Sequence, residues 1–406
     1  MFNLETTSGT GALTRTGLRR VLAVLCLTEI TSWGILFYAF PVLAVSISRD
    51  TGWSLPTITA AFSLGQLAAA LVGIPVGRIL DRTGPRLVMT LGSVLAAASV
   101  PVVALAPNPA VFFTGWILAG VAMGATLYPP AFAALTRWWG EQRLTALMIV
   151  TLAAGLASTV FAPLTAYLDA RSDWRTTYLV LAGILAVVTV PAHGFGLRGR
   201  WPHPPAPIRD DFADHAVVAR SRAFIMLMIT LCLAAFTTAA AVFNLVPLLQ
   251  ERGFTPATAA LALGLGGAGQ VLGRLGYLPL ATRGSVTLRT LIILAATAVA
   301  TAMLGVVTGT AALIAVSIGA GLVRGVLTLV QAMAITDRWG ATHYGRLNGL
   351  LSAPVVIVMA LAPWAGTILS AWTGSYAHAY LVLAAIAALA VVTGTATGVS
   401  LKLSRT

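Results

Sequence analysis

Charge is what this chain of 406 residues has least of: Asp, Glu, Lys and Arg together make up 9% of it. An ordinary soluble domain carries about 25%, because a water-soluble core needs a charged skin. A soluble enzyme, a nucleic-acid binder and a disordered scaffold are excluded on this ground. Lysine is nearly absent, with Lys402 the single one among 25 Lys+Arg. The two cysteines, Cys26 and Cys232, both lie in apolar runs and make neither a metal-ligand spacing nor a disulfide framework. They read as small buried hydrophobes. The five histidines, at 193, 203, 215, 343 and 378, fall in loops or near the ends of apolar runs, with no i,i+4 pair. Enzymes need clustered acids, bases or metal ligands, and ATP coupling needs a Walker-type loop. None of these is found, so no catalysis, metal or cofactor is expected.

Hydrophobic residues make up 58% of the chain, and mean hydropathy is +0.90. The apolar runs are too long and too continuous to be barrel strands, so the expected fold is an all-α membrane protein. Twelve segments have the length of a tilted crossing: 21–46, 56–80, 87–106, 109–135, 144–168, 176–195, 223–249, 256–280, 288–307, 311–335, 347–371 and 378–399. The polar start of the chain precedes a span too long for a signal-peptide core. Segment 198–222, rich in Pro, Arg and Asp, reads as a linker between two six-helix bundles, 21–197 and 223–399. Residues 1–20 and 400–406 read as tails.

The net charge of +13 comes from basic residues that flank the spans. Arg49, Arg171, Arg175 and Arg252 lie in odd-numbered loops, and Arg274 and Arg324 lie inside spans. The remaining 19 of the 25 lie in the tails and even-numbered loops. That split places both termini in the cytoplasm, in a cell's inner membrane, with lipids around the spans. No partner protein or nucleic acid is implied, and a monomer is expected.

The halves repeat. Pro56, Trp139, Gly140 and Pro163 recur 200 residues later as Pro256, Trp339, Gly340 and Pro363, and Tyr178-Leu-Val-Leu-Ala returns from Tyr380. Two similar halves related by an axis along the membrane normal form a transporter architecture, with the site between them near mid-membrane.

The loop after the second span reads Gly77-Arg-Ile-Leu-Asp81-Arg82-Thr-Gly84-Pro-Arg86. It resembles the Gly-x-x-x-Asp-Arg-x-Gly-x-Arg signature of the major facilitator superfamily. The resemblance implies two pseudo-symmetric six-helix bundles, a small-molecule substrate and alternating access. It also implies a gate. Gly77 would let the second helix approach the other half, Asp81 would face the N-terminal end of the eleventh helix near Leu347, and Arg82 and Arg86 would tie the loop to neighbouring acids and lipid headgroups. In the second half Ala281 and Tyr277 replace Asp81 and Gly77, so the gate is asymmetric. Glu29-Ile-Thr-Ser32-Trp33-Gly34 is similar to the first helix of monocarboxylate and oxalate/formate-type carriers. Arg137-Trp-Trp-Gly-Glu-Gln-Arg143 partly resembles their second motif. Their eighth-helix Asp and Arg, four residues apart, correspond to Gln270 and Arg274.

Charge inside a span costs about 2.5–3.5 kcal/mol and serves function more often than not. Glu29, Arg274 and Arg324 are the charged residues so placed. The superfamily resemblance sends spans one, four, seven and ten to the cavity lining. Arg324 is the expected grip for an anion, with Arg274 second. A structural Arg324–Glu29 pair is the alternative. Glu29 is the candidate for proton coupling. Trp33, Tyr38, Tyr128, Asn244 and Gln270 are further substrate-binding candidates, with Gln66 and Gln331 also inside spans. On a regular helix Trp33 and Tyr38 do not share a face, so one ligand is not expected to touch both. Asn244 serves equally as glue between helices. The expected function is secondary transport of a small organic anion, monocarboxylate-like, with proton coupling. The rival is proton-coupled export of drugs or toxic compounds, with metalloid export a remote variant.

Overall fold

A computed structural model describes residues 13–201, 217–281, 285–339 and 344–398. Most of the segment read as linker, 202–216, lies outside them, as do 1–12 and 399–406 of the two tails. Twelve long helices follow in chain order. They are α1 Arg15–Thr51, α2 Leu55–Thr83, α3 Pro85–Ala104, α4 Pro109–Trp139, α5 Thr145–Asp169, α6 Trp174–Gly196 and α7 Arg222–Glu251; α8 Pro256–Ala281; α9 Val286–Val306 and α10 Thr310–Met333; α11 Tyr344–Thr373; and α12 Tyr376–Thr395. Eleven of them are long and apolar enough to cross a membrane, and α8, with 26 residues, has the length to do so. Polar caps start them. The side chains of Ser54, Asn108, Asp173, Ser221, Ser285 and Ser375 each accept a hydrogen bond from the backbone N–H three residues on. Thr14 does the same for α1, which therefore begins inside the segment read as the N-terminal tail.

Two helices depart from regularity, and both departures shape the centre. In α1, Gly34–Tyr38 forms a π-helical turn in which the Ala39 N–H reaches back five residues to the Gly34 carbonyl. In α4 the chain is extended at Leu127, just before Tyr128-Pro129-Pro130. Pro129 and Pro130 lack the N–H groups that an unbroken helix would need and are tolerated only in a first turn, so the helix restarts at Tyr128.

The repeat is visible in packing. Gly65 of α2 and Gly120 of α4 cross so closely that a Cβ at Gly120 would strike the Gly65 carbonyl, and Gly266 of α8 and Gly321 of α10 make the same crossing. Two of the four arginines that break the charge asymmetry have structural work. Arg175 Nη1 donates to the carbonyls of Ala104 at 2.7 Å and Ala106 at 3.2 Å, beyond the end of α3. Arg252 Nη1 does the same at α9, to Leu304 at 2.8 Å and Val307 at 2.5 Å. These are the carbonyls a helix end leaves unpaired.

The halves close on each other at the end away from the termini. Phe37, Phe40 and Phe62 of the first half surround Phe243 of the second, with Phe37 and Phe243 ring centres 4.6 Å apart. Ser63 Oγ accepts from the Trp364 N–H at 3.3 Å, and the Thr159 hydroxyl donates to the Gly264 carbonyl at 2.8 Å. At the end that carries the termini the halves part. Among the described residues, Cβ atoms placed on Gly73 and Gly77 of α2, or on Gly349 of α11, would meet nothing within 4 Å.

Candidate functional site

A cavity of about 320 Å³ lies between the halves, on the terminal side of this closure. Six of the seven residues expected to bind substrate line it: Trp33 and Tyr38 of α1, Tyr128 of α4, Gln270 and Arg274 of α8, and Arg324 of α10. Gln66 and Gln331 line it as well. Trp33 and Tyr38, expected on different helix faces, line the same cavity. At about 100° per residue an α-helix would set them about 140° apart. The π turn places an extra residue between them and brings Tyr38 round to the Trp33 face. Tyr128 reaches the wall from the restart of α4 and lies 5.0 Å from Trp33, ring to ring.

Arg324 is the polar centre of the wall. Its Nε donates to Gln270 Oε1 at 2.9 Å, and its Nη2 is buried without a hydrogen-bond partner among the described residues. Arg274 donates from Nη1 to the carbonyl of Thr151 across the interface between α8 and α5. Tyr38 and Arg274 lie close enough to Arg324 to act on it electrostatically, and Tyr128 faces Arg274. Among the described residues no acid lines the cavity. The arrangement therefore offers two guanidinium groups, amides and hydroxyls to an anion, and offers a cation no countercharge.

The Arg324–Glu29 pair considered above is not formed, since Arg324 takes Gln270 instead. Glu29 is fully buried off the cavity, and its carboxyl interacts with the Trp33 side chain. Trp33 lies one turn on and lines the cavity. Helix side chains lean towards the N-terminus, so its indole covers the carboxyl. Asn244 is also off the cavity. Its Nδ2 donates to the Ala240 carbonyl at 2.8 Å and its Oδ1 accepts from Thr367 at 3.1 Å. Gly366 of α11 makes room for it. Both ends of the amide are spent between α7 and α11, which is the glue role.

The signature loop is held within its own half. Asp81 Oδ1 accepts from Arg137 Nη2 at 2.5 Å, and Arg137 is its side-chain partner among the described residues. Trp201 donates from Nε1 to the Asp81 carbonyl at 3.1 Å and lies 4.7 Å from the Arg137 guanidinium. Gly84, with φ +82°, turns the chain from α2 into α3, and the Trp201 ring fills the place a Cβ would take. A Cβ on Gly77 would meet no described residue of the other half within 4 Å. Arg82 is exposed. Arg86 Nε donates to the Gly194 carbonyl at 2.8 Å, so its partner is the end of α6 and not an acid.

Sequence reasoning missed Phe37, Phe243 and Met359, which line the cavity. Apolar residues in apolar spans carry no signal that separates a cavity wall from a core.

A family model of the Major Facilitator Superfamily matches residues 23–323. The MFS-type transporter YcxA of Bacillus subtilis is 28% identical over 149 residues, 36% of this chain and 36% of YcxA. Monocarboxylate transporter 13 of Rattus norvegicus is 25% identical over 358 residues, 80% of this chain and 81% of that one. Among solved structures, the nucleoside transporter NupG superposes with a TM-score of 0.76 at 13% identity, covering 94% of this chain and 99% of NupG.

Proposed function

The chain belongs to the Major Facilitator Superfamily of secondary transporters, and on that premise we propose that its cargo is a small organic anion, monocarboxylate-like. The observation that carries this reading is the Arg324 guanidinium. It is fixed through Nε by Gln270, has one nitrogen unpartnered among the described residues, and stands near a second arginine in a wall without an acid. A guanidinium in a low-dielectric wall takes a carboxylate in two parallel hydrogen bonds. The similarity to a monocarboxylate transporter over most of both chains supports the same class.

Transport follows from rocking of the halves about the cavity. They are packed through Phe37, Phe62 and Phe243 at one end and apart at the other. The arginine distribution supports cytoplasmic termini, and on that reading this is the inward-facing state. Glu29 is the proton carrier: it is buried with no basic residue bonded to its carboxyl among the described residues, beneath a residue of the cavity wall. Ionised and unpaired it would be costly there. Movement of α1 in the other state would hand its proton to the opposite side.

The test is uptake of radiolabelled carboxylates into proteoliposomes under an imposed pH gradient. Uptake is expected for the wild type and absent for Arg324→Gln and Arg324→Lys, because an ammonium does not reproduce the fork. Unchanged uptake in both variants would remove Arg324 from the site. The second reading, export of amphipathic compounds, is favoured by the aromatic part of the wall, Trp33, Phe37 and Phe243. Accumulation of lipophilic cations that ignores Arg324 would select it.

A further inference from the structure

The cavity wall is divided by chemistry. Arg324, Gln270 and Arg274 gather on α8 and α10. Facing them, from the closed end, stands an aromatic group that both halves build: Trp33 and Phe37 lie edge to face at 4.9 Å, and Phe37 meets Phe243 at 4.6 Å. The Phe37 ring comes to the cavity together with Tyr38 through the π turn. Met359 of α11, a side chain that adapts to flat apolar surfaces, completes this side.

The wall itself speaks against the smallest acids. The cavity, about 320 Å³, is open where the halves part, so its volume alone sets no ligand size. At about 30 Å³ per water, a one- to three-carbon acid on Arg324 would share the space with several waters pressed against aromatic walls. Such a ligand would draw nothing from those walls. A ligand that covered them would gain roughly fourfold in affinity per buried methylene.

On the reading that the cargo is an anion, we propose that it is an amphipathic carboxylate. Its carboxylate is held by Arg324 and its flat aromatic body lies against Trp33, Phe37 and Phe243. Phe37 and Trp33 are then the specificity-determining residues, and Arg324 sets charge. The same division accounts for the two otherwise opposed features of the wall, paired arginines and an aromatic surface.

The experiment is equilibrium binding to the purified full chain in nanodiscs, by calorimetry. Phenylacetate, acetate, lactate and tetraphenylphosphonium are the probes. Phenylacetate is expected to bind at least tenfold more tightly than acetate or lactate. Phe37→Leu is expected to weaken phenylacetate about tenfold with acetate unchanged, and Arg324→Gln to abolish binding of every carboxylate. A monodisperse elution profile and retained binding by Phe37→Leu show that the variants fold. If acetate or lactate binds as tightly as phenylacetate, or if Phe37→Leu weakens all acids equally, the amphipathic assignment falls and the anion reading stands. If no carboxylate binds, or tetraphenylphosphonium binds and Arg324→Gln leaves it intact, both fall.

Discussion

Asp81 and Arg137 are bound to each other at 2.5 Å, and the bond joins the two loops that carry the family-like motifs. One is the signature loop after α2, the other the stretch that leads from α4 into α5. Trp201, at the start of the segment between the halves, rests on both. Its Trp138 neighbour, 5.4 Å away ring to ring, donates to the carbonyl of Arg200. Asp81 is thereby engaged inside its own half while the halves stand apart at this end.

Trp201→Ala removes the ring from Arg137 and Gly84 together with the hydrogen bond to Asp81. Cation–π contact is worth about 0.5–1 kcal/mol and the hydrogen bond about 1 kcal/mol. A fall of a few degrees in melting temperature is expected in detergent. Trp201→Phe, which keeps a ring and loses the N–H, is expected between the two. Identical melting of all three proteins would mean that the ring holds nothing.

Gln270→Glu places a carboxylate beside the Arg324 Nε, where the amide oxygen now sits at 2.9 Å. The new charge pairs with the guanidinium and competes with any anion. Carboxylate affinity is expected to fall at least tenfold without loss of thermal stability, measured by calorimetry and by melting of the same sample. Full affinity in this variant would show that Arg324 is not the grip.

Glu29→Gln keeps the shape of the side chain and cannot release a proton. Accumulation driven by a pH gradient is expected to stop, while exchange of labelled for unlabelled substrate continues. Proteoliposomes loaded with substrate measure both. Gradient-driven accumulation at the wild-type rate would take Glu29 out of coupling.

Gly267 of α8 faces Ser158 Oγ, Thr159 Oγ1 and the Gly155 carbonyl of α5, with no room for a Cβ. Gly267→Leu overpacks this contact by about 1–3 kcal/mol, a shift of about 5–150-fold in the balance of states. Ser63 is buried at the closed end. In a background with Cys26 and Cys232 replaced by Ala, Ser63→Cys is expected to react faster with a membrane-impermeant thiol reagent once Gly267→Leu is added. Equal rates would show that the contact does not hold that end shut.

Asp173 caps α6, its Oδ1 accepting from the Thr176 N–H at 2.8 Å. That backbone hydrogen bond, with help from the Thr176 hydroxyl and Arg175, holds its carboxyl below the usual aspartate range. A depressed acid stabilises the fold above its unfolded pKa, and the contribution is lost as pH falls through the lowered native value. Asp173→Ala is expected to melt earlier than wild type at pH 7, with the gap narrowing below about pH 4. A gap independent of pH would assign the effect to something other than the carboxylate.

Much of this architecture can be read from residue types alone. Twelve apolar runs, the proline and Trp-Gly repeats and the arginine asymmetry each have one physical cause, and they agree. Arg324 and Arg274 stood out because charge in a span is costly. What could not be read is local or conformational. Periodicity set Trp33 and Tyr38 on different faces because nothing in Gly34–Tyr38 announces a hydrogen bond shifted by one residue. Asn244 declared a need for partners, but Gly366 and Thr367, over 120 residues on, decide who they are. Asp81 was expected to meet α11 on the strength of its motif. A motif does not specify which of two states is seen, and here Arg137 is the neighbour.

The wall with two guanidiniums and no acid has an electrical consequence. On the proposed reading, an anion on Arg324 offsets one of these charges and the proton that Glu29 gains with it restores the same net charge, so the vacant and the filled chamber meet the membrane field alike. Each unit charge moved through the full field is worth about 2.3 kcal/mol per 100 mV. An interior-negative voltage would then drive neither half of such a cycle. Turnover would follow the pH gradient and ignore voltage, and a steady current across a planar bilayer would count against one proton travelling with each anion.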